Sequence, residues 1–368
     1  MRVWGVTGTN GKTTTVWILA EFLRAGGRRC GYVTTVEVDT TVRKFYTGYT
    51  TPPLSSLAEI FAEMEANGVT DCVMEVSSHA IHQRRTGDTV FAGGAFTNLS
   101  EDHLDYHKTM EEYFRVKLLF AERIAAEKAR SASAPPPYVV CMDGGYAAEM
   151  LAACRKLPLE VVPVTCKSPA FDLSSLRLDG EYNRSNVLTA AALAEAAGVP
   201  RAAIQSVIPE LKPRWGRLES VPSASKAKVY VDFAHTPDGL EKVLTAARSF
   251  TEGKLWVVFG AGGDRDPAKR PLMGRACSRL ADELVVTSDN PRSEDPMSII
   301  SDILEGVSRR AAVEPDRAAA IGYALSLAEA GDVVLVCGKG HETTQEIAGV
   351  KYPFDDREVV RSFSPASK

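Results

Sequence analysis

Short apolar, β-branched runs alternate along the chain with helix-length amphipathic segments. From the N-terminus, Arg2–Val6 reads as a strand, and the apolar positions from Lys12 to Ala25 recur at helical spacing before Gly26-Gly27 closes them. The alternation continues with strands at Cys30–Thr34, Thr70–Val76, Ala92–Thr97 and Tyr138–Met142, and helices at Leu54–Ala66, Met110–Lys128 and Arg184–Gly198. Strands that alternate with helices in this way predict a parallel α/β sheet.

A second series follows Lys212-Pro213-Arg214-Trp215-Gly216, with strands predicted at Lys228–Asp232, Leu255–Gly260, Glu283–Thr287 and Asp332–Cys337. Asp295-Pro296 reads as an N-cap followed by the first helical residue. A boundary near Pro213 is expected, giving domains 1–212 and 213–368, the second Rossmann-like. Ser131–Pro137 is expected to be a stiff surface loop.

Composition narrows the function class. The 43 basic and 47 acidic residues leave a net charge of -4, so no global field for nucleic acid is visible. The 7 cysteines are dispersed and never spaced Cys-x-x-Cys, as expected of reduced thiols in a cytoplasmic protein. Met1 runs straight into a glycine-rich loop without the pattern of a signal peptide, and the apolar runs are strand-sized, so no membrane span is expected.

The loop itself carries chemistry. Gly5-Val6-Thr7-Gly8-Thr9-Asn10-Gly11-Lys12-Thr13 lies between a predicted strand and helix, where backbone N–H groups and a helix N-terminus hold phosphates. Lys12 would reach the terminal phosphates and Thr13 would ligate Mg²⁺; Val6 stands where the strict phosphate-loop pattern has its first Gly. His79 and His82, and His103 and His107, have spacings that would suit zinc on a helix, but no cysteine accompanies them and Mg²⁺ better suits phosphate chemistry.

GVTGTNGKTTT at the N-terminus is followed in order by YTTPP (Tyr49–Pro53), MEVSSHAIHQRR (Met74–Arg85), FTNLSEDHLDYHKTMEEYFRVKLLF (Phe96–Phe120) and GEYNRSN (Gly180–Asn186). Then come GRLE (Gly216–Glu219), VDFAHTPDGL (Val231–Leu240), GGDRDPAKRPLMG (Gly262–Gly274), TSDNPRSEDP (Thr287–Pro296) and GKGHE (Gly338–Glu342). The set resembles the Mur ligases, most of all the MurE type, over nearly the whole chain. The resemblance implies a central ATPase domain with a phosphate loop and a Rossmann-like C-terminal domain. It also implies an ATP-dependent reaction of peptidoglycan synthesis, in which a carboxylate is phosphorylated and an amine then displaces phosphate.

Residue roles are carried over on the same terms. Gly8, Thr9, Asn10, Gly11, Lys12, Thr13 and Thr14 would cradle ATP, Asn183 and Asn186 would lie on its adenine side, Arg217 would contact phosphate and Asp232 ribose. Thr13, Glu75, His103 and Lys117, the last as a carbamate made with CO₂, would hold Mg²⁺. Lys12, Lys117 and Arg217 are the residues to which catalysis is assigned. Thr50, Thr51, Ser77, Gln83 and Arg85 would contact a muramoyl-dipeptide acceptor ending in a glutamate-like carboxylate. Asp289, Asn290 and Arg292 match the DNPR motif of the enzymes that use meso-diaminopimelate, with Arg265, Gly338 and Glu342 completing that set. An Arg fork at Arg292 can hold the distal carboxylate bidentately, a group that lysine lacks as a substrate.

Two departures shape the expectation. Met1 falls just before the first strand of the ATPase domain, so the family's N-terminal UDP-binding domain is expected to be absent. The chain would then be a fragment of a longer product, use a separate UDP-binding partner protein, or ligate a peptide that is not UDP-linked. The stretch from Asp143 to Asn183 is short, and its small hairpins are expected to be lost. Other readings are a folylpolyglutamate or poly-amino-acid ligase and, outside enzymes, an ATP-binding regulatory subunit.

Overall fold

Apolar side chains on both faces of the predicted strands require covering layers on both sides, and the computed structural model shows two such layered units. It describes residues 1–128, 134–178, 180–212 and 216–364. One unit comprises Met1–Ser100 and Tyr106–Leu211, the other Glu101–Asp105 and Lys212–Lys368. The boundary placed at Pro213 and residues 131–133 of the predicted Ser131–Pro137 loop lie outside the described residues.

In the first unit the strands are β1 (Arg2–Thr7), β2 (Cys30–Val33), β3 (Val38–Asp39), β4 (Lys44–Phe45), β5 (Asp71–Glu75), β6 (Phe91–Phe96), β7 (Pro137–Cys141) and β8 (Glu160–Val164). They form one sheet in the order β4-β3-β2-β5-β1-β6-β7-β8. The strands from β2 across β5, β1, β6 and β7 to β8 run parallel, as predicted, and at one edge, not predicted, β3 pairs antiparallel with both β2 and β4. The segment from Asp143 to Asn183 contributes the parallel edge strand β8.

Helices of this unit are α1 (Lys12–Ala25), α2 (Leu54–Ala66), α3 (Ser78–His82), α4 (Leu104–His107, which runs in from the other unit's short segment), α5 (Met110–Lys128), α6 (Ala147–Cys154), α7 (Glu181–Ala196) and α8 (Arg201–Val207). β1 lies at the sheet centre between β5 and β6, so the loop after it opens where two neighbouring strands also end. Ligand sites in open α/β sheets form at such strand ends. On α5, Tyr113, Lys117, Phe120 and Ile124 recur at intervals of three and four residues and are all buried, which carries a lysine into the interior with its apolar neighbours.

The second unit has β9 (Glu219–Ser220), β10 (Lys228–Asp232), β11 (Leu255–Phe259), β12 (Glu283–Val286), β13 (Ala312–Val313) and β14 (Val333–Cys337) in the order β13-β12-β11-β14-β10-β9. All pairs are parallel except β9 with β10. Its helices are α9 (Pro237–Arg248), α10 (Lys269–Leu280), α11 (Pro296–Leu304), α12 (Arg317–Leu327) and α13 (Asp356–Ser362). Asp295 caps α11 by accepting the N–H of Ser298, and Pro296 opens the helix, as the sequence predicts. A separate hairpin, β15 (Thr344–Ile347) and β16 (Val350–Pro353), turns at Ala348-Gly349, both with positive φ. Among the described residues no helix is long and apolar enough to cross a membrane.

Candidate active site

The phosphate loop is held by its own backbone and by the end of β6. Thr9 N donates to Asn98 O at 2.9 Å, Asn10 N to Asn98 Oδ1 at 3.0 Å, and Asn10 O accepts from Thr97 Oγ1 at 2.7 Å and Asn98 Nδ2 at 3.0 Å. Glycine is required at two points. A Cβ on Gly8 would lie 1.9 Å from Thr97 Oγ1, and one on Gly11, which has φ 83° at the start of α1, would lie 2.3 Å from Asn186 Oδ1. No side chain caps α1 at Gly11, and a helix N-terminus is a place where backbone N–H groups can hold an anion.

Two ammonium groups converge on this loop. Lys12 Nζ donates to Gly8 O at 2.9 Å and Thr9 O at 2.7 Å, while Lys117 Nζ reaches the same Gly8 O at 2.8 Å. Lys117 is 1 % exposed and its Nζ lies 4.6 Å from the centre of the Tyr113 ring, so it is not the solvated helix lysine that residue type alone would favour. Beside them Thr13 Oγ1 donates to Glu75 Oε1 at 2.8 Å. A buried hydroxyl and carboxylate offer the hard oxygen donors that Mg²⁺ takes, so these residues fit that ion.

Glu75 is oriented by a residue the sequence reading passed over. Thr35 donates its N–H to Glu75 Oε1 at 2.8 Å and its hydroxyl to Oε2 at 3.1 Å, and its Oγ1 pairs with the Thr50 hydroxyl at 3.0 Å, accepting there since its own proton is committed. Thr51 Oγ1 donates to Glu75 O at 2.8 Å and accepts Ser77 N at 3.1 Å. Arg85 Nε donates to Gln83 Oε1 at 2.8 Å and its Nη1 to Thr51 O at 3.4 Å, so the five residues expected on the acceptor side form one connected patch with Glu75. His107 donates to or accepts from Ser78 Oγ at 2.9 Å and stacks on Tyr113, and His82 pairs with the Tyr106 hydroxyl at 2.7 Å. His103 has φ 57° and is engaged with Asp102, whose Oδ1 accepts its N–H at 3.0 Å.

Asn183 and Asn186 are buried on α7, and Asn186 Oδ1 accepts from Thr15 Oγ1 at 3.3 Å next to Gly11. The start of α7 is anchored by Asp143, whose carboxylate takes Ser185 Oγ at 2.6 Å, Thr165 Oγ1 at 2.5 Å and Cys166 N at 2.8 Å. Burial opposes its ionisation, but these hydrogen bonds outweigh burial and hold the carboxyl below its usual range.

In the second unit Asp232 closes β10 and accepts Leu218 N at 2.6 Å and Ala234 N at 2.7 Å. Burial raises its pKa against the pull of Arg217 and these two N–H groups. Arg217 lies over the Phe233 ring at 4.6 Å. Around the DNPR segment, Arg292 has φ 54° and its Nη1 donates to Gly263 O at 2.6 Å, while its N–H pairs with Glu346 O at 3.0 Å. The hairpin β15–β16 therefore sets the Arg292 backbone. Asn290 Nδ2 donates to Glu342 Oε2 at 2.8 Å. Asp289 Oδ2 is buried without a hydrogen-bond partner among the described residues and faces Gly338, where a Cβ would sit 2.3 Å away. An orphaned carboxylate oxygen suits an incoming ammonium group. Arg265 is exposed, with Nη1 donating to Asp264 O at 2.8 Å.

Beneath these loops lies Arg317, which no motif marked. It pairs with Asp356 through Nε and Nη2, both at 2.7 Å, and its Nη1 and Nη2 donate to Ser288 O at 3.2 Å and Cys337 O at 2.9 Å. Both partners of the pair are fully buried. One guanidinium thus pins the residues just ahead of the DNPR and GKGHE segments. Burial works against its charge, but Asp356 and Asp289 more than compensate and raise its pKa.

A phosphate loop with two converging lysines and a hydroxyl-carboxylate pair at the end of a central parallel strand defines a nucleotide-using enzyme of the phosphate-loop class. The Mur ligase middle domain family matches residues 6–175, and the Mur ligase glutamate ligase domain family matches residues 216–340. A UDP-N-acetylmuramoyl-L-alanyl-D-glutamate-2,6-diaminopimelate ligase of Bacillus licheniformis is 42 % identical, over 98 % of this chain and 78 % of its own length. A solved structure of an enzyme with that name is 32 % identical with a TM-score of 0.61, covering 98 % of this chain and 78 % of the other. A folylpolyglutamate synthase of Mycobacterium tuberculosis, complexed with ADP, has a TM-score of 0.68 at 20 % identity, over 92 % of this chain and 87 % of that one, a likeness of fold. The chain belongs to the Mur ligase family of ATP-dependent, ADP-forming amide ligases.

Proposed function

We propose that this chain joins meso-diaminopimelate to the glutamate-like carboxylate of a muramoyl-dipeptide acceptor, with ATP as the energy source. The observation that carries this reading is Glu75, bonded through its carboxylate to Thr13 of the phosphate loop on one side and linked through Thr35 and Thr51 to Thr50 and Ser77 on the other. It joins hard metal donors to the expected acceptor patch, next to a loop where Lys12 supplies positive charge. Phosphoryl transfer needs positioning and charge stabilisation above all.

In the first step an acceptor carboxylate oxygen bonds to the γ-phosphorus while the β–γ bridging P–O bond breaks, and ADP leaves. Lys12 and the N-terminus of α1 would receive the phosphate charge. Thr13 and Glu75 would hold Mg²⁺, which when bound supplies charge neutralisation to the phosphates. In the second step a neutral amine bonds to the acyl carbon, phosphate departs with the C–O electron pair, and the amine's surplus proton passes to solvent or phosphate. Asp289 and Glu342 would hold ammonium and Arg292 the distal carboxylate of diaminopimelate.

Lys117 is read as the carbamate form. Its buried Nζ would first lose a proton to become the neutral amine, then bond to the carbon of CO₂ and release a second proton, which turns a cation at the phosphate loop into an anion that favours metal. A ¹³C resonance in the carbamate range, from protein equilibrated with ¹³C-bicarbonate and missing in Lys117→Ala, is the expected outcome; no difference between the two overturns the carbamate.

The functional test crosses UDP-linked, free γ-glutamyl and folate acceptors with diaminopimelate, lysine and glutamate in an ATP-dependent ligation assay. Product is expected with diaminopimelate and a muramoyl-dipeptide acceptor. Product with glutamate on a folate acceptor instead would move the chain to the folylpolyglutamate branch.

A further inference from the structure

Lysine is rarely buried without a specific partner, because removing an ammonium group from water is costly. Lys339, inside the GKGHE segment, is nevertheless fully buried. Its Nζ donates to Asn290 Oδ1 at 3.0 Å and to Glu342 Oε2 at 3.0 Å. Asn290 Nδ2 donates to the same Glu342 oxygen at 2.8 Å, and Asn290 Oδ1 also accepts the N–H of Glu346 at 3.0 Å. The three side chains close a triangle.

This triangle fixes two orientations. Turning the Asn290 amide over would set its NH₂ against the Lys339 ammonium and the Glu346 N–H, two donors facing a donor, so the amide has one stable arrangement. Glu342 Oε2 holds two donors, whereas Oε1 receives none among the described residues, and the side chain is 31 % exposed. Glu342 therefore presents one oxygen outward while the other is clamped. Without the ammonium, a single hydrogen bond from Asn290 would hold a carboxylate with three rotatable bonds, and the orientation of Oε1 would spread over several rotamers.

We propose that Lys339 is a positioning residue for the amino-acid substrate, acting through Glu342 and Asn290 to hold Glu342 Oε1 ready for an ammonium group remote from the reacting amine. The proposal rests on the assignment of Asn290 and Glu342 to that substrate. It adds a residue that touches no substrate and sets selectivity through the geometry of two that do.

The test is steady-state phosphate release by the full chain with Lys339→Met, Glu342→Gln and the double variant. Methionine keeps an unbranched side chain of similar length without the charge. Lys339→Met is expected to raise KM for diaminopimelate about tenfold or more, with kcat and the KM for ATP changed less than about twofold. The double variant is expected to match Glu342→Gln, since two residues acting through one group are not additive. Removing both members of the pair leaves no uncompensated buried charge, so the double variant keeps the comparison available if Lys339→Met alone does not fold. A double variant about tenfold worse than Glu342→Gln, or an equal rise in KM for ATP and diaminopimelate, overturns the proposal. If the wild-type chain accepts a different amino acid, the assignment of diaminopimelate fails, and the same comparison run with that amino acid still decides the role of Lys339.

Discussion

The two units build their sites by different means. Around the phosphate loop the recognition groups are mostly backbone N–H and C=O, and contiguous residues from Gly8 to Thr13 supply them; Lys12 and Lys117 already rest on a carbonyl of the same loop. In the second unit the groups are side chains from segments far apart in sequence: Asp289 to Arg292, Lys339 to Glu342, and Arg317 with Asp356 beneath them. A contiguous backbone cradle suits phosphate, which every nucleotide shares. A network of side chains suits discrimination among amino acids, because exchanging one member changes shape and charge locally.

The contrast can be broken at its strongest point first. Glu75→Gln keeps the side-chain shape but removes the charge facing Thr13, and ligation is expected to fall by about 10³-fold or more, the scale of losing a key electrostatic group. Equilibrium binding of diaminopimelate, measured alongside, is expected to be little changed; a parallel loss of both would erase the division between the two sites.

Arg317→Met attacks the base of the second site. It strands Asp356 as an uncompensated buried charge, and a loss of about 3–5 kcal/mol in unfolding free energy is expected, read by denaturant titration. The double replacement Arg317→Met with Asp356→Leu should recover much of that stability without recovering affinity for the amino acid, because Ser288 O and Cys337 O lose their common donor in both. Full recovery of affinity would show that the guanidinium does not position the loops.

Arg292→Ala sharpens the comparison further. KM for diaminopimelate is expected to rise by about 10–100-fold, the range of a lost charge-assisted fork, with KM for ATP nearly unchanged. A smaller effect is expected from His341, whose pKa burial lowers to about 3, helped by the nearby Arg217 and Arg357 charges. The folded chain then binds fewer protons at this site than the unfolded chain, so its contribution to stability is present above the unfolded value and is lost as pH falls from about 6.5. Denaturant titrations at pH 7 and pH 5 are expected to show a weaker pH dependence in His341→Gln than in the wild type.

Legibility followed the same divide. The strand-loop-helix around Gly8 was readable because β1, the loop and α1 are consecutive and strongly patterned. Strands β3 and β4 span only two residues each, too few for any period to appear, so the antiparallel edge of the first sheet was not foreseen. β8 reads Glu-Val-Val-Pro-Val and is half-exposed with an internal proline, which fits an edge strand and weakened its pattern. The Ala348-Gly349 pair was an overlooked hairpin signal. Thr35, Lys339 and Arg317 were missed for a physical reason: a lone threonine carries no motif, and lysine and arginine are expected at the surface until a structure shows the partners that bury them.

The central claim is that one chain couples ATP cleavage to amide formation, and phosphate release measured with each substrate withheld in turn tests it most directly. Phosphate is expected to accumulate, one per amide bond, only when ATP, the γ-glutamyl acceptor and diaminopimelate are all present. Release from ATP alone at the same rate, without any ligated product, would contradict it.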